Sequence, residues 1–206
     1  MREDVQQALA QAGVSISPDR WDRLGEYGRL LAGWNRRVAL TGVSDEEGFW
    51  KLVGESLIPL ARITVADNYL DVGTSGGFPA IPLLICEKFV SATLLEPSSR
   101  RAFALEQILK DLALTGSVKV YSQDLETFAQ SYSGAGMDII TLKGIKFREK
   151  NCKLLLKTLA SSGKIIYYRQ FIESREEKLF RKLRLEVETI DHPGGAIRGY
   201  ILIKRE

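Results

Sequence analysis

The residues of this 206-residue chain best suited to chemistry cluster in one run, Asp71-Val72-Gly73-Thr74-Ser75-Gly76-Gly77-Phe78. Glycines let a backbone turn sharply and approach a ligand without a Cβ in the way. A helix opening after such a loop offers free N–H groups. A second acid, Glu96, follows Gly77 by 19 residues. At the end of a neighbouring strand its carboxylate can accept both ribose hydroxyls of an adenosine ligand. Two cofactors share this geometry. A dinucleotide loop reads G-x-G-x-x-G around a pyrophosphate, and Gly73, Ser75 and Phe78 break that pattern. An S-adenosylmethionine (AdoMet) loop reads acid-x-G-x-G-x-G. Asp71, Gly73 and Gly77 match it, with Ser75 at the middle glycine. AdoMet has no phosphate, and an acid ending the strand suits its cationic sulfonium and ammonium groups. A tight strand-to-helix turn without a ligand uses the same residue types, so the run by itself leaves that reading open.

A second group is basic. Residues 1–142 hold 13 Lys and Arg against 18 Asp and Glu, whereas residues 143–206 hold 16 against 8, within a net charge of +3. The split implies an anionic partner near the C-terminal part or a set of solvated helix faces. Lys143-Gly144-Ile145-Lys146-Phe147-Arg148-Glu149-Lys150 leads into a predicted helix. Cations there oppose the helix macrodipole, whereas phosphate binding accounts for them. Lys146, Arg148 and Lys150 are therefore candidate phosphate contacts. Phe147 either stacks on a base or is buried. Arg36 and Arg37 are candidates for the same surface, while Arg20, Arg23 and Arg29 read as a solvated helix face. Cys86, Cys152 and the single histidine, His192, form neither a disulfide framework nor a metal site. Both cysteines read as packing residues and His192 as a loop residue.

These groups need positioning. With 45% hydrophobic and 27% charged residues, the chain has the composition of a soluble globular protein. No uncharged stretch reaches the roughly 18 residues of a membrane helix, and Met1-Arg2-Glu3-Asp4 lacks an apolar signal region. The expectation is a cytoplasmic protein with no membrane partner. Val5, Leu9 and Ala12 share a helical face; Ser17-Pro18 offers a cap and a first-turn proline. Trp21, Leu24, Tyr27, Leu30, Leu31 and Trp34 recur at helical spacing. Ser44-Asp45-Glu46-Glu47 fits a capping box. The pattern then alternates: strands at 69–72, 91–96, 118–121, 138–141 and 164–168, and helices after the glycine loop and at 99–112, 125–129, 151–159 and 173–184, with a turn at 161–163. Strands at 185–190 and 200–204 flank a loop with Pro193-Gly194-Gly195. This predicts a doubly wound, mostly parallel sheet with an antiparallel edge.

The run 70–83, Leu70-Asp71-Val72-Gly73-Thr74-Ser75-Gly76-Gly77-Phe78-Pro79-Ala80-Ile81-Pro82-Leu83, resembles the signature of the RsmG (GidB) family. Other segments agree: Trp34-Asn35-Arg36-Arg37 with Leu40-Thr41, Glu55-Ser56-Leu57, Leu95-Glu96-Pro97-Ser98-Ser99-Arg100-Arg101, and Pro193-Gly194 with 198–204. The family methylates N7 of a guanine in bacterial 16S ribosomal RNA. The resemblance implies an α/β class I AdoMet-dependent methyltransferase fold, Rossmann-like, with a seven-stranded, mostly parallel sheet and an antiparallel C-terminal edge. An N-terminal helical segment, 1–66, would pack on the methyltransferase domain, 67–206. The cofactor would be AdoMet, and the partner 16S ribosomal RNA or the small ribosomal subunit, met by a monomer. Asp71, Gly73, Thr74, Ser75, Gly77 and Phe78 would form the cofactor loop. Glu96 would hold the ribose, and Asp124 and Leu125 would meet the adenine. Asn35 and Arg198 would join the RNA contacts. Several positions depart from the family: Ser75 for glycine, Ala39 for asparagine, Leu52 for histidine, and Lys143 for an arginine at the cofactor–substrate junction, where Lys143 would orient the substrate.

Methyl transfer to guanine N7 needs no general base, since N7 carries a free lone pair; the task is orientation and desolvation. Carbon-5 methylation of a pyrimidine needs a cysteine nucleophile, and amino-group methylation commonly uses a [DN]-P-P-[YFW] motif. Residues 141–144 read Thr-Leu-Lys-Gly instead. The alternatives to an rRNA methyltransferase are a divergent RNA-binding paralogue with little or no activity and a small-molecule methyltransferase.

Overall fold

The computed structural model describes residues 2–63, 66–86, 89–190 and 200–205. Its frame is a seven-stranded sheet, β1 (Ala66–Val72), β2 (Phe89–Leu95), β3 (Val118–Tyr121), β4 (Met137–Lys143), β5 (Leu159–Tyr168), β6 (Leu185–Ile190) and β7 (Tyr200–Arg205). The strand order is β3-β2-β1-β4-β5-β7-β6. β1 to β5 are parallel, and β7 runs antiparallel to β5 and β6, the predicted architecture. The helices are α1 (Arg2–Gln11), α2 (Pro18–Asn35), α3 (Glu46–Leu57), α4 (Ala80–Ile85), α5 (Ser99–Asp111), α6 (Leu125–Ser131), α7 (Glu149–Thr158) and α8 (Ser174–Lys182).

The period-two alternation of the strands divides the core between two faces. Tyr69, Leu94, Ile139, Ile166 and Tyr168 bury in one cluster with Leu9, Trp21, Leu24, Tyr27, Phe49 and Leu57 from the N-terminal helices. Leu70, Val72, Leu95, Ile140, Leu142 and Tyr167 pack on the other face against Phe128, Leu155 and Phe180. The N-terminal helices and the sheet therefore share a core. Asp71 falls in the same alternation as Tyr69, which turns its carboxylate toward the N-terminal helices.

Several local expectations are corrected. β1 starts at Ala66, three residues early, because polar Asp67 and Asn68 carry no apolar alternation; their amides donate to Asp138 Oδ2 at 3.1 and 2.9 Å. The predicted turn at 161–163 lies inside β5. Gly163 lets the Met137 carbonyl approach, since a Cβ there would stand 2.6 Å from that oxygen. The β4–β5 register slips at the same place, so the Ser-Ser-Gly sequence marks a bulge. α3 is capped by Asp45, whose Oδ1 accepts from Gly48 N at 2.7 Å, rather than by Ser44. Ser17 is the N-cap of α2 but makes no side-chain cap bond. His192, Pro193, Gly194, Gly195 and Arg198 lie outside the described residues.

Candidate cofactor and RNA site

β1 lies between β2 and β4, so the chain winds off one way after β1 and returns on the other side at β4. The loops after these two strands flank the crevice where open α/β sheets take their ligands. The glycine loop is the first of them. Gly73 N and Thr74 N donate to Leu95 O at 2.8 and 2.9 Å, and Gly77 N donates to Thr74 O at 2.8 Å. Gly73 and Gly77 have φ of +71° and +94°. Their missing side chains also clear the protein itself: a Cβ at Gly73 would lie 2.8 Å from Ile145 Cδ1, and one at Gly77 2.5 Å from Ile81 Cδ1.

Ser75, the departure from glycine, has φ +50°. A left-handed residue with a Cβ costs about 1–2 kcal/mol. The serine offsets this through its Oγ, which donates to Leu40 O at 2.8 Å, while its backbone N–H, as any residue's would, donates to Glu96 Oε2 at 2.9 Å. Tyr27 Oη donates to Gly76 O at 2.5 Å. The N-terminal helical segment thus clamps the loop from outside. Thr74 is buried, its Oγ1 donating to Asp71 O at 3.5 Å and its carbonyl accepting from Gly77 N.

Glu96 stands just after β2, 4% exposed. Its Oε1 accepts from Ser98 N at 3.0 Å, and its Oε2 from Ser75 N. Each oxygen keeps a second lone-pair site. A cavity of about 220 Å³ lies beside it, lined by Val72, Gly73, Leu95, Asp124, Leu125 and Ile145 among others. Asp124 caps α6, accepting from Thr127 N at 2.8 Å, and that bond holds its carboxyl below the usual carboxylate range. The structure therefore brings Gly73, Asp124 and Leu125 to one pocket with apolar walls.

Behind the loop is a buried polar cluster. Thr141 Oγ1 donates to Asp71 Oδ1 at 2.5 Å. That uses the threonine's one proton, so Tyr69 Oη donates to Thr141 Oγ1 at 2.7 Å. Asp71 Oδ2 is buried and has no hydrogen-bond partner. Burial pushes the Asp71 carboxyl up to about 6, against the opposing Thr141 hydrogen bond. Lys143, at the end of β4, forms an ion pair with Glu55 of α3 at 2.9 Å, with the side chains 12% and 4% exposed. Its Nζ lies 5.8 Å from the Phe78 ring centroid and 5.9 Å from that of Tyr168. Lys143 thus joins the cofactor loop to the N-terminal segment. The motif at Glu55 and the departure at Lys143 are both visible in sequence, but their pairing is not.

The RNA candidates separate. Lys146 and Arg148 are exposed and unpaired among the described residues. Lys150 is ion-paired with Glu126 at 2.6 Å. Phe147 is buried, its ring meeting those of Tyr167 and Phe180 at centroid distances of 4.7 and 5.2 Å, so it does not stack on a base. Asn35 is corrected from RNA contact to scaffold: its Oδ1 accepts from Leu40 N and Thr41 N, and its Nδ2 donates to Thr41 O and Val43 O. Both ends of the amide are used. Arg36 and Arg37 are exposed, the latter 5.9 Å from the Trp34 ring centroid.

Residue-by-residue reading missed Arg175 and Lys178 of α8. They line a cleft of about 620 Å³ together with Lys146 and Arg148. The acids of that cleft are engaged: Glu149 with Lys153 and Lys182, Glu173 with Arg169, and Glu176 with Tyr167 Oη. Among the described residues, Lys146, Arg148, Arg175 and Lys178 therefore face solvent unneutralised. The basic excess of residues 143–206 was the available signal.

Comparison with known proteins agrees with this geometry. In solved structures, the chain superposes on the O-methyltransferase from Bacillus cereus in complex with SAH with a TM-score of 0.68, at 19% identity and 100% coverage of both chains. A methyltransferase from Geobacter sulfurreducens gives a TM-score of 0.60 at 15% identity, over 87% of this chain and 88% of that one. The fold is thus the class I methyltransferase fold. In sequence, the chain is 28% identical to "Ribosomal RNA small subunit methyltransferase G" of Streptococcus equi subsp. zooepidemicus, over 97% of this chain and 89% of the relative. It is 27% identical to the protein of that name from Listeria innocua, over 80% and 70%. The family model GidB, rRNA small subunit methyltransferase G, matches residues 20–192, and with that span covering most of the chain, the protein belongs to the GidB family of rRNA small subunit methyltransferases.

Proposed function

We propose that this protein transfers the methyl group of AdoMet to N7 of a guanine in 16S ribosomal RNA. The observation that carries the cofactor assignment is the buried, unpartnered Asp71 Oδ2 behind a loop closed by Glu96. A buried carboxylate oxygen without a partner is costly, and a cationic ligand group offsets that cost. The donor set suits this cofactor: an acid for the cationic end, an acid with free lone pairs for the ribose, and apolar walls for the adenine. The cavity beside Gly73 is smaller than the roughly 300–1,000 Å³ of a whole small-molecule site, which suits the adenosine half.

When bound, AdoMet supplies an electrophilic methyl on a sulfonium. The protein does the rest by placement. Asp71 draws in the cationic end, Glu96 accepts the ribose hydroxyls, and Leu95, Leu125 and Ile145 hold the base. Lys143, neutralised by Glu55 and flanked by the Phe78 and Tyr168 rings beside the cofactor loop, would orient the substrate as a fixed donor and not as a free charge. No side chain needs to take a proton, because N7 has none to lose. Lys146, Arg148, Arg175 and Lys178 would bind phosphates. Residues 1–66 act as a helical segment that braces the methyltransferase domain of 67–206, and the protein works as a monomer in the cytoplasm.

The test is methylation of purified 16S ribosomal RNA and of 30S subunits with labelled AdoMet, with the product base mapped by the strand cleavage that follows reduction of 7-methylguanine. Label in 7-methylguanine on either substrate is expected. Label on another atom, or none on either substrate, refutes the proposal.

A further inference from the structure

The buried cluster behind the glycine loop fixes the direction of its own protons. Asp71 and Thr141 stand opposite each other in the β1–β4 register, and Tyr69 precedes Asp71 by two residues, on the same face of β1. All three are buried. Tyr69 Oη has Thr141 Oγ1, at 2.7 Å, as its hydrogen-bond partner among the described residues, so its proton goes there. The Thr141 proton then goes to Asp71 Oδ1 at 2.5 Å. The Tyr69 ring is held in place by stacking on Phe89 at a centroid distance of 4.2 Å. Oδ1 is thereby committed as an acceptor, and Oδ2 is left without a partner.

The other phenols near Asp71 are engaged elsewhere: Tyr27 of α2 donates to Gly76 O and Tyr168 of β5 to Ser56 O. Burial holds Tyr27, Tyr69 and Tyr168 well above the usual tyrosine range, so all three stay protonated. The charged groups facing the carboxyl are Glu96 after β2 and Lys143 of β4, the latter paired with Glu55 of α3. Burial lifts the Asp71 carboxyl to about 6. The Thr141 hydrogen bond is the largest influence opposing that rise, ahead of the Thr74 hydroxyl and the Lys143 charge, while Glu96 adds to it. A titrating proton and a ligand cation therefore compete for Oδ2. We infer that Thr141 and Tyr69 are positioning residues for the cofactor: they commit Oδ1 and keep Oδ2 ionised and open to the cationic end of AdoMet, so that AdoMet and a proton exclude one another at Asp71. The inference rests on the cofactor reading above.

Tyr69→Phe combined with Thr141→Val removes both hydroxyls, keeps both shapes and orphans neither. Tyr69→Phe alone is the milder change, and Thr141→Ser keeps the donor. The Asp71 carboxyl is followed by NMR of ligand-free protein labelled with carbon-13 aspartate, its signal assigned by its loss in Asp71→Asn. AdoMet affinity is measured by calorimetry over the same range, pH 5 to 8. The double variant should titrate about one pH unit above the wild type, and Tyr69→Phe should move the same way by less. The double variant should bind AdoMet about fivefold more weakly than the wild type at pH 6, with the deficit nearly gone at pH 8. Thr141→Ser should keep the wild-type midpoint and pH profile. A purely structural loss would lower affinity equally at every pH. An unchanged midpoint, or a deficit that is the same at pH 6 and pH 8, overturns the positioning role. A wild-type AdoMet affinity that ignores the Asp71 titration refutes the cofactor reading of Asp71 itself, and the positioning role falls with it.

Discussion

Asp71→Asn tests the centre of the site through its pH dependence. Burial pushes the Asp71 carboxyl up to about 6 in the folded protein, against 3.8 for an unperturbed aspartate. A group whose pKa is raised on folding holds its proton more tightly in the folded state. The stability it contributes is complete below the unfolded pKa and is lost as pH rises through the folded one. The separation corresponds to about 3 kcal/mol in all, of which somewhat under half falls between roughly pH 5 and pH 7. Asparagine removes the titration. It keeps an acceptor for Thr141 Oγ1, but it puts an amide where Oδ2 has no partner, which costs about 1–3 kcal/mol. The slope is therefore more informative than the level. Urea unfolding of ligand-free wild type and variant across pH 5 to 8 should show the wild type losing about 1 kcal/mol more than the variant between pH 5 and 7. The single histidine, His192, is common to both proteins and drops out of the difference. Parallel pH dependences would refute the raised pKa and the burial that causes it.

Three further outcomes are expected. Glu96→Ala removes the acceptor of Ser75 N and Ser98 N as well as the ribose contacts, so S-adenosylhomocysteine affinity measured by calorimetry should fall by about 1.5–3 kcal/mol, with a lower thermal midpoint; unchanged affinity sinks the ribose assignment. Lys143→Met leaves Glu55 charged and buried, costing about 3–5 kcal/mol in chemical denaturation, and pairing it with Glu55→Leu should recover most of that loss; additive losses would mean the two do not interact. Alanine at each of Lys146, Arg148, Arg175 and Lys178 should weaken RNA binding across sequences and lower the slope of log affinity against log salt by roughly 0.7–0.9 per site; a fourfold variant with the wild-type slope shows the cleft to be an ordinary solvated face.

Much of the frame was legible from residue order. Strand-helix alternation after residue 69 predicted the doubly wound sheet because buried parallel strands must be apolar on both faces. The Asp71 to Phe78 run marked the loop because its left-handed φ values call for glycine. The errors share one cause: a residue type was read for what it does alone. Ser161-Ser162-Gly163 has turn composition, but the partner strand decides whether a glycine makes a turn or lets a carbonyl approach. Asn35 looks like a polar contact residue until its amide is seen to hold the 40–43 segment. Phe147 is a different case: the sequence leaves stacking and burial open, and the packing of Tyr167 and Phe180 decides for burial.

The sequence by itself determined the class of fold, the position of the cofactor loop, the strand-end acids and the side of the chain that carries excess positive charge. All of these are local in the chain, set by periodicity, backbone conformation and composition. Tertiary structure alone decided which charges remain available. Lys143 is matched to Glu55, 88 positions away, and Lys150 to Glu126, while Arg175 and Lys178 join Lys146 and Arg148 unmatched in one cleft. It also decided that Asp71 keeps one buried oxygen without a partner. Charge neutralisation and desolvation depend on distances of a few ångströms between segments far apart in sequence, and spacing along the chain does not encode those distances.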